Sequence, residues 1–168
     1  MSRYTLLLAP FGALLGCATS DLTPPKTQLQ VREFQTRSYD TSDAKMVIKA
    51  VFNVLQDDGF IVKVANVDLG LLTATREADI ESKGERLGAI LKGLYGLGGT
   101  WKKAAILDAT ANVSEFGAQT KVRMNFQLKV LDNKGGVRKL KEIDDPKYYQ
   151  DFFSKIDKGI FLQKEKVS

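Results

Sequence analysis

Between Lys121 and Val130 the chain alternates without a slip. Val122, Met124, Phe126, Leu128 and Val130 are apolar, while Lys121, Arg123, Asn125, Gln127 and Lys129 are polar or charged. Successive side chains of a strand point to opposite faces, so this stretch reads as a half-buried β-strand with one face on a core and the other toward water. A strand with one wet face belongs in an antiparallel sheet covered on a single side. The flanking segments extend the pattern. Residues 101–113 place Leu107, Ala109, Ala111 and Val113 on one face, and Glu115, Phe116 and Gly117 supply a turn into the alternating strand. After it, Asp132, Asn133, Lys134, Gly135 and Gly136 make a second turn, leading to a lysine-rich run over 137–143 suited to a sheet edge.

Two segments carry helical spacing instead. Ala44, Val47, Ile48, Val51, Phe52 and Leu55 recur at three- and four-residue steps; Asp40, with Asp43 three residues on, reads as the N-cap, and Gly59 as the residue that stops the helix. The face of Val47, Val51 and Leu55 is expected to bury against the sheet. Asp145-Pro146 starts the other helix, with Tyr149, Phe152, Phe153, Ile156 and Ile160 as its apolar stripe and Asp151 and Lys155 one turn apart on another face. Residues 60–64 and 71–76 are β-rich and joined by an Asn/Asp/Gly segment, which predicts a hairpin. Residues 28–37 partly alternate and predict a first strand.

Residues 79–100 are harder to place. The apolar spacing is helical, but Gly84, Gly88 and Gly93 fall inside it, and each interior glycine weakens a helix by about 1 kcal/mol relative to alanine. The expectation is a marginal amphipathic helix ending at Gly98-Gly99, with two rival readings: a membrane-surface segment, or a mobile lid or partner-binding segment. The resulting order, β-α-β-β-(α)-β-β-β-α, predicts an α+β fold: a predominantly antiparallel sheet with helices packed on one face, as one domain over 28–168.

The amino-terminal region has a different character. Arg3 precedes an apolar run from Tyr4 to Leu15, which is too short for a permanent membrane span and has the layout of a secretory signal. Leu14-Leu15-Gly16-Cys17 resembles the lipobox of bacterial lipoproteins. Leu14 stands three before the cut, Gly16 just before it and Cys17 just after, and Leu15 is permitted at the intermediate position. The resemblance implies removal of residues 1–16, a diacylglyceryl thioether on Cys17 and a further acyl chain on its amino group. At about 0.8 kcal/mol per buried methylene, several chains give permanent attachment. Ala18 in place of an aspartate favours the outer membrane, periplasmic side. Residues 17–27, with Pro24-Pro25, read as a lipidated cysteine and tether.

Composition narrows the chemistry. Cys17 is the one cysteine, and its acylation would leave no thiol for a disulfide or a nucleophile. No histidine occurs, which removes the commonest general base, the commonest zinc ligand and every serine–histidine triad. Asp57-Asp58 and Asp144-Asp145 sit at a helix end and a helix start, where capping explains them. No catalytic, metal or cofactor site is expected. The net charge of +5 is modest; with an exported location it points away from nucleic acid and toward anionic lipid or an acidic protein partner.

The segments 43–62 (DAKMVIKAVFNVLQDDGFIV), 69–77 (LGLLTATRE) and 145–161 (DPKYYQDFFSKIDKGIF) are similar in layout to the helix-grip domains of BamC-type outer-membrane lipoproteins. This resemblance of pattern implies a surface module that binds other envelope proteins without catalysis. Candidate partner surfaces are Lys121, Arg123 and Lys129 on the polar strand face, Arg138, Lys139 and Lys141 on the following strand, and Leu91, Leu94 and Tyr95 within the glycine-rich segment. A solvated face is the ordinary explanation of each charge group. The alternative function is a carrier of a lipid or other apolar ligand, held in a cavity between sheet and C-terminal helix that Phe126, Tyr149, Phe152 and Phe153 would line.

Overall fold

The computed structural model describes residues 26–78, 105–131 and 136–165. The elements within them are helix α1 (Gln28–Gln35), strand β1 (Thr36–Tyr39), helix α2 (Ala44–Asp57), strands β2 (Ile61–Asn66), β3 (Leu71–Ala78), β4 (Ala105–Phe116), β5 (Gln119–Leu131) and β6 (Val137–Glu142), and helix α3 (Pro146–Glu165). The fold is the α+β arrangement that the alternation predicts. The strands form one antiparallel sheet in the order β1-β5-β4-β3-β2, with β6 also paired to β5.

The spine is the β4–β5 hairpin, in unbroken register from Ala105 opposite Val130 to Phe116 opposite Gln119. Its turn lies at Gly117, two residues beyond the expected start, because β4 stays paired through Phe116. β4 fills one edge of β5. The other edge is shared end to end, with β1 opposite residues 120–123 and β6 opposite 127–131. β2 closes the far side and, among the described residues, pairs only with β3.

The apolar set of β5 (Val122, Met124, Phe126, Leu128 and Val130) is buried together with Leu107, Ala109, Ala111 and Val113 of β4. α2 covers this face with Val47, Val51, Val54 and Leu55, and α3 with Tyr149, Phe152, Phe153, Ile156 and Ile160. Asp145 starts α3 as its sequence suggests, its Oδ1 accepting from the Lys147 N–H at 2.9 Å. Asp151 bonds Lys147, one turn before it, while Lys155 reaches across to Asp58 at the end of α2.

Two local expectations are overturned. Residues 28–35 are a helix, not a strand. Thr27 and Gln30 form a capping box in which the Thr27 Oγ1 accepts from the Gln30 N–H while the Gln30 side chain accepts from the Thr27 N–H. The ring of Phe34 then packs on Tyr149, 5.2 Å between centroids. The alternation of Leu29 and Val31 misleads because Leu29 is left exposed and buries nothing. Likewise the N-cap of α2 is Asp43, not Asp40. Asp43 accepts from the Met46 N–H at 2.9 Å, and Asp40 is engaged by the Gln119 side chain of β5 at 2.7 Å.

Two glycines have opposite costs. Gly70, with φ +62°, passes so close to β4 that a Cβ would lie 1.8 Å from the Val113 carbonyl oxygen, and its own carbonyl accepts from the Val113 N–H at 2.7 Å. Gly70→Ala is therefore expected to lower stability by about 2–4 kcal/mol, read from urea unfolding. Gly159 lies within α3, where an added Cβ meets only the Ala50 Cβ, at an ordinary 3.8 Å. Gly159→Ala is expected to raise stability by roughly 0.5–1 kcal/mol in the same measurement.

Candidate functional site

The register sorts the six basic residues picked out from the sequence onto different surfaces. Lys121, Arg123 and Lys129 lie on the polar face of β5, on which no described element packs. They are not equivalent. Lys129 pairs with Asp108 on the neighbouring strand at 2.5 Å. Lys121 stacks over the exposed Phe116 ring, its Nζ 3.9 Å from the centroid. Arg123 is exposed beside Asn112 and Thr36, with no ion pair among the described residues. Lys139 and Lys141 stand opposite Val130 and Leu128, so they belong to the other side of the sheet, at its β6 edge. Arg138 lies in β6, and its side chain is outside the described residues. The five with described side chains do not converge. Cys17, Leu91, Leu94 and Tyr95, and the predicted helix over 79–100, also lie outside the described residues.

The aromatic row of α3 sits in the core. The Phe126 ring meets Tyr148 and Phe152 at 5.0 Å, Tyr149 at 5.4 Å and Phe60 at 6.1 Å between centroids. Phe126, Tyr149, Phe152 and Phe153 are all buried. Beneath them is a polar junction. β1 and β6 do not meet along β5, and Phe126 faces the gap between them. Its carbonyl accepts from the Ile143 N–H at 2.9 Å, and its N–H donates to the Tyr149 Oη at 3.2 Å. Gln35 of α1 enters the same gap, donating to the Tyr149 Oη at 3.3 Å and to the Glu142 Oε1 at 2.7 Å, where Asn125 also donates at 2.6 Å. Burial pushes the Tyr149 phenol up to about 12, against the hydrogen bonds from Gln35 and Phe126 and with the Glu142 and Asp144 carboxylates adding to the rise. Farther along, Arg37 of β1 bonds Asp157 of α3 at 2.8 Å. Burial, and secondarily the Asp157 carboxylate, also raises the Tyr39 phenol, whose hydroxyl stops short of a hydrogen bond to that carboxylate.

Two surface grooves flank α2. One, of about 500 Å³, runs between α2 and α3 over Ala50, Val54, Gly159 and Leu162, with Asp57, Asp58, Lys155 and Lys158 on its rim. The other, of about 410 Å³, separates α2 from β2 and is lined by Phe52, Gln56, Phe60, Ile61, Val62, Lys63 and Ala65. The second groove was not among the sequence-derived candidates. Its sequence signal is a second stripe on α2, Lys45, Lys49, Phe52 and Gln56, at helical spacing beside the core stripe.

No cluster of metal-ligating side chains occurs among the described residues, and no helix among them is long and apolar enough to cross a membrane. No protein-family model matches the sequence, and no curated protein does. Among solved structures, the chain is similar to a DUF4468 family protein from Bacteroides ovatus, at 8% identity and a TM-score of 0.40, over 74% of this chain and 84% of that one. It is also similar to a TBP-like protein from Parabacteroides distasonis, at 10% identity and a TM-score of 0.37, over 74% of this chain and 90% of that one. Likeness at this level carries no functional inference.

The junction at Phe126 makes a prediction of its own. Tyr149→Phe leaves a buried backbone N–H and the Gln35 amide short of an acceptor, a loss of about 1–3 kcal/mol at neutral pH. Because the native state holds the Tyr149 proton above the unfolded value near 10, wild-type stability falls as pH rises from there toward about 12. Urea unfolding of both proteins across that window is expected to show their difference shrinking as pH rises.

Proposed function

We propose that the chain is a lipid-anchored, non-catalytic docking module on the periplasmic side of the outer membrane, holding its α+β body beside the bilayer for an envelope protein complex. The observation that carries this reading is Leu14-Leu15-Gly16-Cys17, set between an apolar run with a positive head and a polar, proline-containing stretch. The non-catalytic part rests on the sequence, which lacks histidine and has no second cysteine. The paired aspartates favour it too, since Asp58 and Asp145 cap α2 and α3.

Two features of the fold support docking over carriage. The aromatics that would line a cavity between sheet and α3 are buried against one another, so their area is spent on packing. The grooves lie instead on the outside, beside α2, and the polar face of the sheet has no described element on it.

Expression of the full chain in a Gram-negative host tests the reading. Intact mass is expected to correspond to a protein beginning at Cys17 with a diacylglyceryl group and a further acyl chain, recovered in the outer-membrane fraction. Cys17→Ser is expected to retain residues 1–16 and carry no lipid. An unmodified thiol on an uncleaved, soluble chain would overturn the anchor and the compartment together.

A further inference from the structure

We propose that β2 is a strand-addition site, taking an extended segment of a protein partner that is apolar at alternate residues and bears carboxylates. The proposal rests on the docking reading above and names its site. Among the described residues β2 pairs with β3 alone, so none of them supplies a strand to the outer backbone N–H and C=O groups of Ile61–Asn66. Free edges are ordinarily closed off by charge, proline or a bulge. Here the register shift beside Lys63 and that single charge are the only such devices. Ile61 and Val64 are left 64% and 48% exposed.

The groove explains what an added strand would gain. α2 stands over the edge, with Phe52 and Gln56 above and Phe60, Val62 and Ala65 below. A strand laid along β2 sends every second side chain into that groove and the others beside Ile61 and Val64. The ladder supplies affinity, and the pocket supplies a preference for apolar residues at alternate positions.

Charge selects the partner. Lys45 and Lys49 continue the α2 stripe past Phe52, and Lys63 lies on β2 itself. None of the three has an ion-pair partner among the described residues, whereas Arg37, Lys129, Lys147 and Lys155 each have one. No acidic residue lines this groove. A segment with carboxylates beside its apolar residues meets these lysines. A second copy of the chain does not, because antiparallel β2–β2 pairing across a two-fold axis would bring two sets of lysines together.

The test presents a displayed library of short random peptides to the full acylated chain in detergent micelles. The expected result is enrichment of peptides alternating apolar residues with Asp or Glu. A synthetic representative should slow amide exchange across residues 61–66 by roughly tenfold or more. Lys49→Glu with Lys63→Glu, both exposed and clear of the core, should weaken that peptide at least about tenfold, and a lysine-for-carboxylate version of it should recover binding to the variant. No enrichment, protection confined to other elements, or protection of β2 in the chain alone alongside concentration-dependent dimerisation would each overturn the proposal. Should the double variant retrieve the same envelope proteins as wild type, the β2 site falls while the docking reading stands.

Discussion

The peptide unit of Phe126 is where the architecture is decided. β5 is longer than either strand on its outer edge, and β1 and β6 leave a break at its middle. A buried backbone N–H without a partner costs about 1–3 kcal/mol. The Tyr149 hydroxyl and the Ile143 N–H take the place of the missing strand there. One side chain of α3 thus serves both the sheet's hydrogen bonding and the aromatic cluster around the Phe126 ring. That double attachment sets where α3 lies, and Gln35 and Phe34 draw α1 to the same point. With the helices committed to one face, the polar face of β5 and the outer edge of β2 are left uncovered by the described elements.

The parts of this fold that were legible in the sequence are those whose signal is periodic. The alternation through Val122, Met124, Phe126, Leu128 and Val130 named both the strand and its buried face, and the stripes of α2 and α3 named theirs. The failures occur where two local rules fit the same residues. Leu29 and Val31 suit a strand, and Thr27 with Gln30 suits a capping box; Phe34 packing on Tyr149 and Gln35 entering the gap decide for the helix. Asp40 and Asp43 are both good caps, and a contact from Gln119, distant in sequence, removes Asp40 from contention.

Function was less legible than fold for a related reason. Alternation could assign Lys121, Arg123 and Lys129 to the polar face. It could not show that Lys129 is neutralised by Asp108 or that Lys121 rests on Phe116. Nor could it show that Phe52 and Gln56 of α2 share a groove with Lys63 of β2, since that depends on how the helix stands over the sheet edge. The charge pairs that do form are partly exposed, as Arg37–Asp157 is, and such pairs contribute no more than about 1 kcal/mol. That Lys45, Lys49 and Lys63 have no such pair among the described residues therefore costs the fold little, and charges of this kind steer encounter more than they strengthen a core.

The point at which the described chain begins gives this sorting a direction. Lys26 enters the described structure beside the start of α3, its Nζ donating to the Asp144 carbonyl at 2.5 Å, next to the edge where β1 and β6 lie on β5. Four strand spacings separate β1 from β2, about 19 Å at the usual distance between neighbours. If Cys17 carries the lipid, the tether reaches the described body on its β1–β6 side, and β2 lies across the sheet from that point of entry. A partner segment laid along β2 would then dock away from the edge at which the described chain begins.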